Sequence, residues 1–593
     1  MKSMIGHFAI VVGISKQDNE KLQITNMIAG KEIMKISLSS NPMLRKIAFF
    51  SLLVVLQPFF TSGKRTEQDS RKPNILFIMA DDHCERAIGV YGSRLAGLNP
   101  TPNLDRLARN GMVFDNVFCT NSICTPSRAT IMTGQYSHEN KVYDLYDGLP
   151  RDKHYLSEKM QEAGYATAVV GKWHLRESPR FFDYFAVIAG QGSYINPVIQ
   201  VSEGGTKRMI RFDSTLSREV DVIDTEGHST DVLTNLTLDW LKSKRDKTKP
   251  FFLMHHFKAP HDMFVYADRY EHYLENETIP EPVNLYDQPG EKWGSIATRG
   301  KNDSLVNVIG STISPQPDKR NLANHYRKKI QKLTGRDNLT EKELTHHAYQ
   351  LYLKEYLRTV KGIDDNLGRI LDYLRKNDLM QNTILVYTSD QGMLLGEHDF
   401  IDKRWMYEES IRMPLIMHFP PMIKPNSRND WLINNTDYAP TLLELAGIEP
   451  PDYMQGKSFV DALQGITEPE SWRKGTYYRY WMHMAHGHNN PAHFGIRTKK
   501  HKLIFFYGVD YTNIHNQKRV QGNDGNRYWE STPAAWEFYD LEKDPYEMNN
   551  QYSNPEYRLE VKELKTLLRK TREKIGDTDD SFPRIKRIVK KNW

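Results

Sequence analysis

Residues 74–82 have the sequence Asn74-Ile75-Leu76-Phe77-Ile78-Met79-Ala80-Asp81-Asp82, a continuous apolar run that ends in two carboxylates. A run of this kind is typical of a strand buried on both faces, as in a parallel sheet covered by helices. Two adjacent carboxylates cannot both pack into a core, so they are solvated, paired with cationic groups or bound to a metal ion. The segment therefore predicts an α/β domain with polar groups at the carboxyl end of a buried strand.

Three further apolar runs of strand length are each followed by polar residues. The runs cover residues 166–170, 250–254 and 383–388, and the polar residues after them are Lys172 and His174, then His261, then Asp390 and Gln391. Taken singly, such residues are more often solvated acids and lysines or hydrogen-bonded core histidines. In open α/β sheets, however, ligands bind beyond the carboxyl ends of the strands. Independent residues would not all fall at that edge, so we expect these side chains to form one site.

The pattern changes beyond about residue 450. Apolar residues at helical spacing predict a long helix over residues 349–374, and residues 262–338 are interpreted as an insertion over the top of the large domain. Short strands without intervening helices are then predicted at residues 476–482, 494–497, 502–507 and 536–540, closed by a helix at about 555–575. We therefore assign residues 73–449 to a large domain, 450–575 to an α+β subdomain with an antiparallel sheet, and 576–593 to a basic, solvated tail.

The amino-terminal residues have the pattern of an export signal. Met43-Leu44-Arg45-Lys46 is followed by an apolar run over residues 47–60 and by small residues at 61–63. Such a sequence is typical of a secretory signal peptide, and the run is short for a stable membrane anchor. We interpret residues 1–42 as an upstream extension that precedes the true start, 43–63 as the signal peptide and 64–72 as a linker. The protein is therefore expected to be exported, either periplasmic or secreted.

Composition sets broad limits on function. The chain has 593 residues, 39% of them apolar and 26% charged, with a formal net charge of +6. These values are ordinary for a soluble globular protein of two domains, and so small a net charge does not indicate a nucleic-acid partner. An anionic substrate needs only a local basic cluster. The three cysteines, Cys84, Cys119 and Cys124, cannot form a disulfide scaffold, and whether Cys84 and Cys119 pair stays open.

A short stretch around Cys124 has the features of a nucleophile site. Cys124-Thr125-Pro126-Ser127-Arg128 places a cysteine before a proline, which fixes φ and removes a donor. A helix beginning near Ala129 would favour an anion at its amino-terminal end. For a lone cysteine, a small buried side chain at a helix start is the commoner role.

The stretch resembles the maturation signature C-x-P-S-R of type I, formylglycine-dependent sulfatases of the alkaline phosphatase superfamily. The match is complete at Cys124, Pro126, Ser127 and Arg128, and the resemblance extends from about residue 74 to residue 550. It implies a large mixed central sheet sandwiched by helices, with a smaller carboxyl-terminal antiparallel subdomain. It also implies that a dedicated maturase oxidises Cys124 to formylglycine, whose hydrate is the nucleophile in sulfate ester hydrolysis.

The resemblance also implies roles for the predicted strand-end residues. The metal ligands would be Asp81, Asp82, Asp390, Gln391 and the modified residue at Cys124. Because the side-chain ligands are oxygens, Ca²⁺ or Mg²⁺ is expected, and the family favours Ca²⁺. The remaining roles are sulfate binding by Lys172 and Lys403, protonation of the leaving group by His261, breakdown of the intermediate by His174, and positioning of the nucleophile by Arg128.

A sulfated oligo- or polysaccharide is the expected substrate. Gly495-Ile496-Arg497-Thr498 together with Lys502-Leu503-Ile504 resembles branches of the family that act on sulfated polysaccharides, including glycosaminoglycans. We assign His398, His493 and Arg497 to substrate binding. His483, His486 and His488 are further candidates, although the histidines could instead form an adventitious metal site or a solvated loop.

Three other functions are considered. A phosphate or phosphonate ester hydrolase of the same superfamily can share the acids and the cysteine motif, but Lys172, His174 and Lys403 favour sulfate. A non-catalytic carbohydrate-binding relative should lack Cys124, Arg128 or one of the acids, and none is missing. A membrane-anchored surface protein would require that the apolar run over residues 47–60 be retained.

Overall fold

The computed structural model describes residues 13–15, 22–28, 31–38, 72–212, 216–286, 294–295, 311–315, 320–485, 488, 490–511 and 531–593. The chain divides into two compact units, Met1–Arg71 and Lys72–Trp593. In the first unit, strands β1 (Gly13–Ser15), β2 (Leu22–Ile28) and β3 (Lys31–Leu38) form an antiparallel sheet. The predicted signal peptide at 43–63 lies outside the described residues, as does the predicted linker up to residue 71.

The described strands of the second unit are numbered β4 to β24. They are β4 (Asn74–Ala80), β5 (Met112–Phe114), β6 (Val117–Phe118), β7 (Ala166–Lys172), β8 (Tyr184–Ile188), β9 (Ile199–Val201), β10 (Thr206–Arg211), β11 (Ser217–Ile223), β12 (Phe251–His256), β13 (Ser311–Thr312), β14 (Arg320–Asn321), β15 (Thr383–Ser389), β16 (Leu394–Leu395), β17 (Ile401–Asp402), β18 (Leu415–His418), β19 (Ser427–Asn429), β20 (Ile433–Asn434), β21 (Thr476–Tyr480), β22 (His493–Arg497), β23 (His501–Phe506) and β24 (Ala535–Asp540).

The described α-helices of the same unit range from single turns to one helix of 36 residues. They are α1 (Pro102–Arg109), α2 (Cys124–Thr133), α3 (Ser137–Asn140), α4 (Leu156–Glu162), α5 (Ser229–Asp239), α6 (Leu322–His325), α7 (Arg327–Thr334), α8 (Glu341–Lys376), α9 (Glu408–Ile411), α10 (Tyr438–Leu445), α11 (Val460–Leu463), α12 (Arg558–Ile575) and α13 (Pro583–Asn592).

An 11-stranded mixed sheet forms the centre of this unit. Its strand order is β10-β11-β9-β8-β7-β12-β4-β15-β18-β5-β19, and the neighbours from β8 to β15 in that order run parallel. Every residue of β4, β7, β12 and β15 is buried. The continuous apolar runs of the sequence are therefore the central strands, and burial on both faces is the reason that they lack an alternating pattern.

Helices cover both faces of the large sheet. Phe77 on β4 lies in a hydrophobic core between the sheet and helices α2, α4 and α10. The preceding residue, Leu76, lies in a second core, between the sheet and helices α1, α5 and α8. This alternation follows from the two-residue period of a strand. The predicted α/β class, with a mixed sheet sandwiched by helices, is confirmed.

A separate four-stranded antiparallel sheet, β21-β22-β23-β24, forms the smaller subdomain. Helices α12 and α13 pack on it through an apolar cluster that includes Phe494, Leu568 and Ile585. The structure departs from the sequence-based expectation at residues 576–593. The segment is not a solvated tail, because α13 buries Ile585 and the preceding turn buries Asp577 and Asp579 against arginines.

Some element boundaries also differ from those expected. Helix α2 begins at Cys124 itself rather than near Ala129, and α8 begins at Glu341, under a capping box from Thr340, rather than at Tyr349. All three cysteines are free thiols, so Cys84 and Cys119 do not pair. Among the helices of the described residues, none combines the length and apolarity needed to cross a bilayer.

Candidate active site

The carboxyl ends of the central strands meet at one edge of the large sheet. Met79 on β4 aligns with His256 on β12 and with Thr388 on β15, and His256 aligns in turn with Gly171 on β7. The segments that follow these strands therefore leave the sheet at the same level. This register brings together the four groups of polar residues that the sequence places after the apolar runs.

Three carboxylates form the floor of the site. Asp81, Asp82 and Asp390 are fully buried and present oxygens that lie within 4.8 Å of one another. Burial and the neighbouring Asp81 and Asp82 raise the pKa of Asp390 to about 7, although Arg128 opposes the rise. Burial would also raise the pKa of Asp81, but the positive groups around that carboxyl hold it well below its usual range. Three acidic groups are thus held close together away from solvent, where Arg128, Lys172 and Lys403 form ion pairs with them.

The donors of this cluster fit a hard divalent cation. Gln391 donates from Nε2 to Asp82, while its Oε1 is buried and has no hydrogen-bond partner among the described residues. Carboxylate and amide oxygens are the ligands that Ca²⁺ and Mg²⁺ prefer. A cation held by Asp81, Asp82, Asp390 and Gln391 would satisfy this oxygen and offset the buried charge.

Arg128 connects the acids to the nucleophile helix. It is buried, donates from Nε to Asp390 over 3.0 Å and from Nη2 to Asp81 over 3.2 Å, and donates from Nη1 to the carbonyl oxygen of Lys172 over 2.5 Å. Arg128 lies one turn after Cys124 on α2, so its guanidinium fixes the first turn of that helix relative to β4, β7 and β15. A planar guanidinium, with several N–H donors in fixed directions, suits this role better than the single ammonium group of a lysine.

Cys124 lies at the centre of the site. Its Sγ is 3.5 Å from Asp81 Oδ1, 3.7 Å from Gln391 Nε2 and 3.9 Å from Lys172 Nζ. The residue is 1% exposed and opens helix α2 after Ile123. Burial raises the pKa of the thiol, and the nearby lysines only partly oppose this rise. An atom attached to Cβ of residue 124 is therefore adjacent to both the acid cluster and a cationic group.

Two lysines flank the acids from opposite sides. Lys172, at the end of β7, donates to Asp81, and Lys403, after β17, donates to Asp82 Oδ2 over 2.6 Å. Both side chains are buried, and the carboxylate of Asp82 is the main reason that the pKa of Lys403 stays well above its usual range despite burial. A tetrahedral oxyanion placed between the two ammonium groups would meet positive charge on two sides.

His261 stands at the opening of the site. Its Nε2 is 3.8 Å from Asp82 Oδ2, its Nδ1 lies 3.0 Å from a carboxylate oxygen of Asp262, and its side chain is 13% exposed. A ring with one nitrogen held by an acid and the other directed at the site is suited to proton transfer. The structure thus brings His261 to the acid cluster, and its role as leaving-group acid stays a prediction.

His174 follows β7 two residues after Lys172 and adopts a left-handed backbone, with φ of 54°. Its Nδ1 is buried without a hydrogen-bond partner among the described residues. Burial, together with the charges of Lys172 and Arg128, lowers the pKa of His174 well below its usual range. A neutral imidazole in this position can accept a proton.

The three residues assigned to sugar binding lie elsewhere. The His493 ring lies against Tyr478 and Trp405, Arg497 forms an ion pair with Glu408, and the His398 ring packs near Tyr407. His398 and His493 have no exposed surface, and Arg497 has only 3%. These side chains thus lie in the contact between the small sheet and the large domain, and their assignment to substrate binding stays a prediction.

Lys258 is a site residue that the sequence did not single out. It lies just beyond β12, it is 4% exposed, and its ammonium group lies 4.8 Å from the centre of the Tyr194 ring. Burial and the neighbouring Lys172 lower the pKa of Lys258 to about 8. Tyr194 also donates to the carbonyl oxygen of His261 over 2.5 Å. The position of Lys258 after a buried strand, which singled out Lys172, was the available signal.

A cavity of about 490 Å³ opens beside the site. Asp262 and Asp402, the neighbours in sequence of His261 and Lys403, belong to its wall, and Tyr326 and Tyr352 provide aromatic surface. His488 also lies on this wall. A space of this size, lined by aromatic rings and a few polar groups, is typical of a small-ligand site.

Comparisons with known proteins agree with this geometry. A family model described as Sulfatase matches residues 73–448, and one described as N-sulphoglucosamine sulphohydrolase, C-terminal, matches residues 396–519. The chain is similar to an N-acetylglucosamine-6-O-sulfatase of Bacteroides thetaiotaomicron, with 36% identity over 91% of this chain and 93% of that protein. It is also similar to the Homo sapiens N-acetylglucosamine-6-sulfatase, with 26% identity over 69% of this chain and 68% of that one.

The fold is also similar to solved structures of other proteins. One, described as a complex with its substrate D-glucosamine-2-N,6-O-disulfate, matches with a TM-score of 0.70 and 35% identity, covering 86% of this chain and 99% of the other. The match spans nearly the whole of that structure, so it includes both the large sheet and the smaller subdomain.

Proposed function

Since the chain belongs to the sulfatase family and is a sulfuric ester hydrolase, we propose that it removes the 6-O-sulfate from a glucosamine unit of a glycosaminoglycan fragment. Two relatives named for N-acetylglucosamine 6-sulfate and one structure with a glucosamine disulfate support this substrate. The observation that carries the proposal is the position of residue 124, within 4 Å of Asp81, Lys172 and Gln391 in a buried pocket.

We propose Ca²⁺ as the cation, with Mg²⁺ as the less favoured choice. Asp81, Asp82, Asp390, Gln391 and the modified residue 124 would hold it, and its charge would draw electron density from the sulfate oxygens. Adjacent carboxylates of one cluster suit the larger, flexible coordination shell of Ca²⁺ better than the strict octahedron of Mg²⁺.

We propose that a maturase converts Cys124 to formylglycine. The hydrated aldehyde supplies two hydroxyl groups, one to attack sulfur and one to lose a proton when sulfate is released; a cysteine or serine supplies only one. Arg128, one turn further along α2, would position this residue and would not itself contact the ester.

The other side chains would bind the ester and move protons. Lys172 and Lys403 would bind sulfate oxygens from two sides and stabilise the charge that grows on them. His261 would give a proton to the departing sugar oxygen, with Nδ1 held by Asp262. His174, neutral because it is buried near positive charges, would take the proton that is lost on sulfate release. The sugar would occupy the cavity beyond His261 and Lys403.

The proposed location is outside the cytoplasm. The predicted signal peptide at residues 43–63 supports export. Amino-terminal sequencing of the mature protein tests this: a first residue near 64 is expected, and a retained apolar run would instead indicate a surface anchor.

Mass spectrometry and a paired assay test the function. In protein from the native host, the Cys124 peptide should have lost the mass of H₂S and gained that of one oxygen. The same protein should release sulfate from N-acetylglucosamine 6-sulfate, and the Cys124→Ala variant should not. An active protein with unmodified Cys124, or faster turnover of an aryl phosphate diester than of the sulfate, would refute the proposal in favour of a phosphoesterase.

A further inference from the structure

The positive charge of the chain is concentrated at its carboxyl end. Residues 558–593 contain twelve Lys or Arg and six Asp or Glu, and this difference of six equals the formal net charge of +6 for the whole sequence. The remainder of the chain is therefore balanced. These residues form helices α12 and α13, which pack beside each other on the small sheet.

A groove of about 390 Å³ runs between the two helices. Arg569 lies on the α12 side, and Lys586 and Lys590 lie on the α13 side, so cationic groups face the same space from both walls. All three are exposed. Trp593 lines the groove as well, with the Arg569 guanidinium 5.3 Å from the centre of its ring.

The acidic residues of the groove are mostly neutralised. Asp577 pairs with Arg479 over 2.6 Å, and Asp579 pairs with Arg479 over 2.7 Å and with Arg572 over 2.5 Å, all with buried side chains. Glu573 is exposed on the wall. Asp580, outside the wall, forms an exposed pair with Lys586, and pairs of this kind contribute little. On the groove wall, three exposed cationic residues, Arg569, Lys586 and Lys590, therefore face one exposed acid, Glu573.

A lipid surface is a poorer partner for these helices than a soluble polyanion. A basic amphipathic helix binds membranes by inserting its apolar face. Here that face is already used, because Ile585 is buried and Ile588 and Val589 pack against the core of the small sheet. The side of the helices that remains exposed carries the cationic residues of the groove and the edge of the Trp593 ring. Cationic groups with an aromatic surface suit sulfated sugar rings, whose sulfates bind the cations and whose apolar faces stack on the ring.

We propose that the groove between α12 and α13 binds a sulfated polysaccharide chain at a second site, separate from the residues that cleave the ester. The identity of the polymer rests on the proposed function, whereas the binding itself does not. The site would hold a long chain near the enzyme and raise the local concentration of its ends. It would have no effect on a monosaccharide, which cannot occupy both sites at once.

A matched pair of triple variants tests the proposal in the full-length, mature protein. The groove variant is Arg569→Gln, Lys586→Gln and Lys590→Gln; the control is Lys242→Gln, Lys247→Gln and Lys376→Gln, which removes the same charge at exposed positions elsewhere. Binding of a defined heparin oligosaccharide is measured by titration calorimetry over a series of salt concentrations, with sulfate release from N-acetylglucosamine 6-sulfate in parallel.

The groove variant should bind heparin about tenfold more weakly, with a shallower dependence of affinity on salt because fewer counterions are released. Its kcat/KM on the monosaccharide should equal that of the unchanged protein, and the control variant should bind normally. If heparin affinity falls equally in both variants, the loss is due to the change in net charge, and the proposed binding site is refuted. Unchanged heparin binding, or loss of binding only to phosphatidylserine vesicles, would also overturn it. A protein that binds heparin through the groove but releases no sulfate from any sugar would refute only the proposed function.

Discussion

Arg128 shows how much of this site depends on the shape of one side chain. Its guanidinium donates to Asp81, to Asp390 and to the backbone of Lys172, and thereby joins three strands to the first turn of α2. A single ammonium group could match the charge but could not reach all three acceptors. The residue therefore acts by positioning the nucleophile and two of the acids.

Arg128→Lys should lower kcat by about 100-fold, because misplaced groups lose transition-state stabilisation, while the affinity for Ca²⁺ falls about tenfold. Turnover of N-acetylglucosamine 6-sulfate and calcium titration measure the two effects, and thermal unfolding checks that the variant is folded. A variant with normal calcium affinity and normal kcat would contradict the positioning role.

Lys258 gives a prediction about pH. Burial and Lys172 lower its pKa to about 8, so its ammonium is charged below that pH and neutral above it. If this charge attracts the sulfate ester, KM should rise as the pH passes 8. Lys258→Met should show a KM that is high already at pH 7 and has lost this alkaline rise, and Lys258→Arg should keep a low KM to higher pH. An identical alkaline profile in the unchanged protein and in Lys258→Met would exclude the role.

At the scale of elements, the sequence predicted the central strands and the residues at their ends. A continuous apolar run predicts a strand that is buried on both faces. The carboxyl ends of parallel strands lie at the same edge of the sheet, so the residues that follow them are expected to lie close together. Lys258 also follows a buried strand, but its contact with Tyr194, 64 residues earlier, could not be predicted from the sequence. The ion pair between Arg497 and Glu408, which lies 89 residues earlier, was likewise not predicted. Contacts of this kind leave no local pattern.

The carboxyl-terminal helices illustrate the same limit and allow a stability prediction. Charged residues at 584–591 indicated a solvated tail, but Arg479 on β21 pairs with both Asp577 and Asp579, and all three side chains are buried. Removing the arginine leaves two buried carboxylates without their main partner. Arg479→Met should therefore destabilise the protein by about 3–5 kcal/mol.

Thermal and denaturant unfolding measure this loss, and the triple variant Arg479→Met, Asp577→Asn, Asp579→Asn is its control. Because that variant removes the charges together, it should recover much of the stability. An Arg479→Met protein with an unchanged midpoint would show that the ion pairs do not hold α12 and α13 in place.

At the scale of the whole molecule, the acid cluster ties stability to the metal. Asp81, Asp82 and Asp390 directly follow β4 and β15, two neighbouring strands at the centre of the 11-stranded sheet, so repulsion among these acids acts next to the core. A ligand that binds only the folded state adds about 2.7 kcal/mol when its concentration is 100 times its Kd.

Removal of divalent ions with a chelator should accordingly lower Tm, and Ca²⁺ should restore it more fully than Mg²⁺ at equal concentration. The Asp390→Asn variant serves as the comparison, because it weakens the cluster's repulsion and should show a smaller change on chelation. Equal Tm values with and without calcium in the unchanged protein would contradict a calcium site here.

The burial of Cys124 has a consequence for biosynthesis. The residue is 1% exposed, is the first residue of a helix and lies among buried acids and lysines, so in the finished fold its sulfur is poorly accessible to the active site of another enzyme. The proposed oxidation of Cys124 would then come before the chain completes its folding. Under that proposal the yield of active protein depends on the rate of oxidation relative to the rate of folding, and slower synthesis or cooler growth should raise the modified fraction even when the amount of maturase is unchanged.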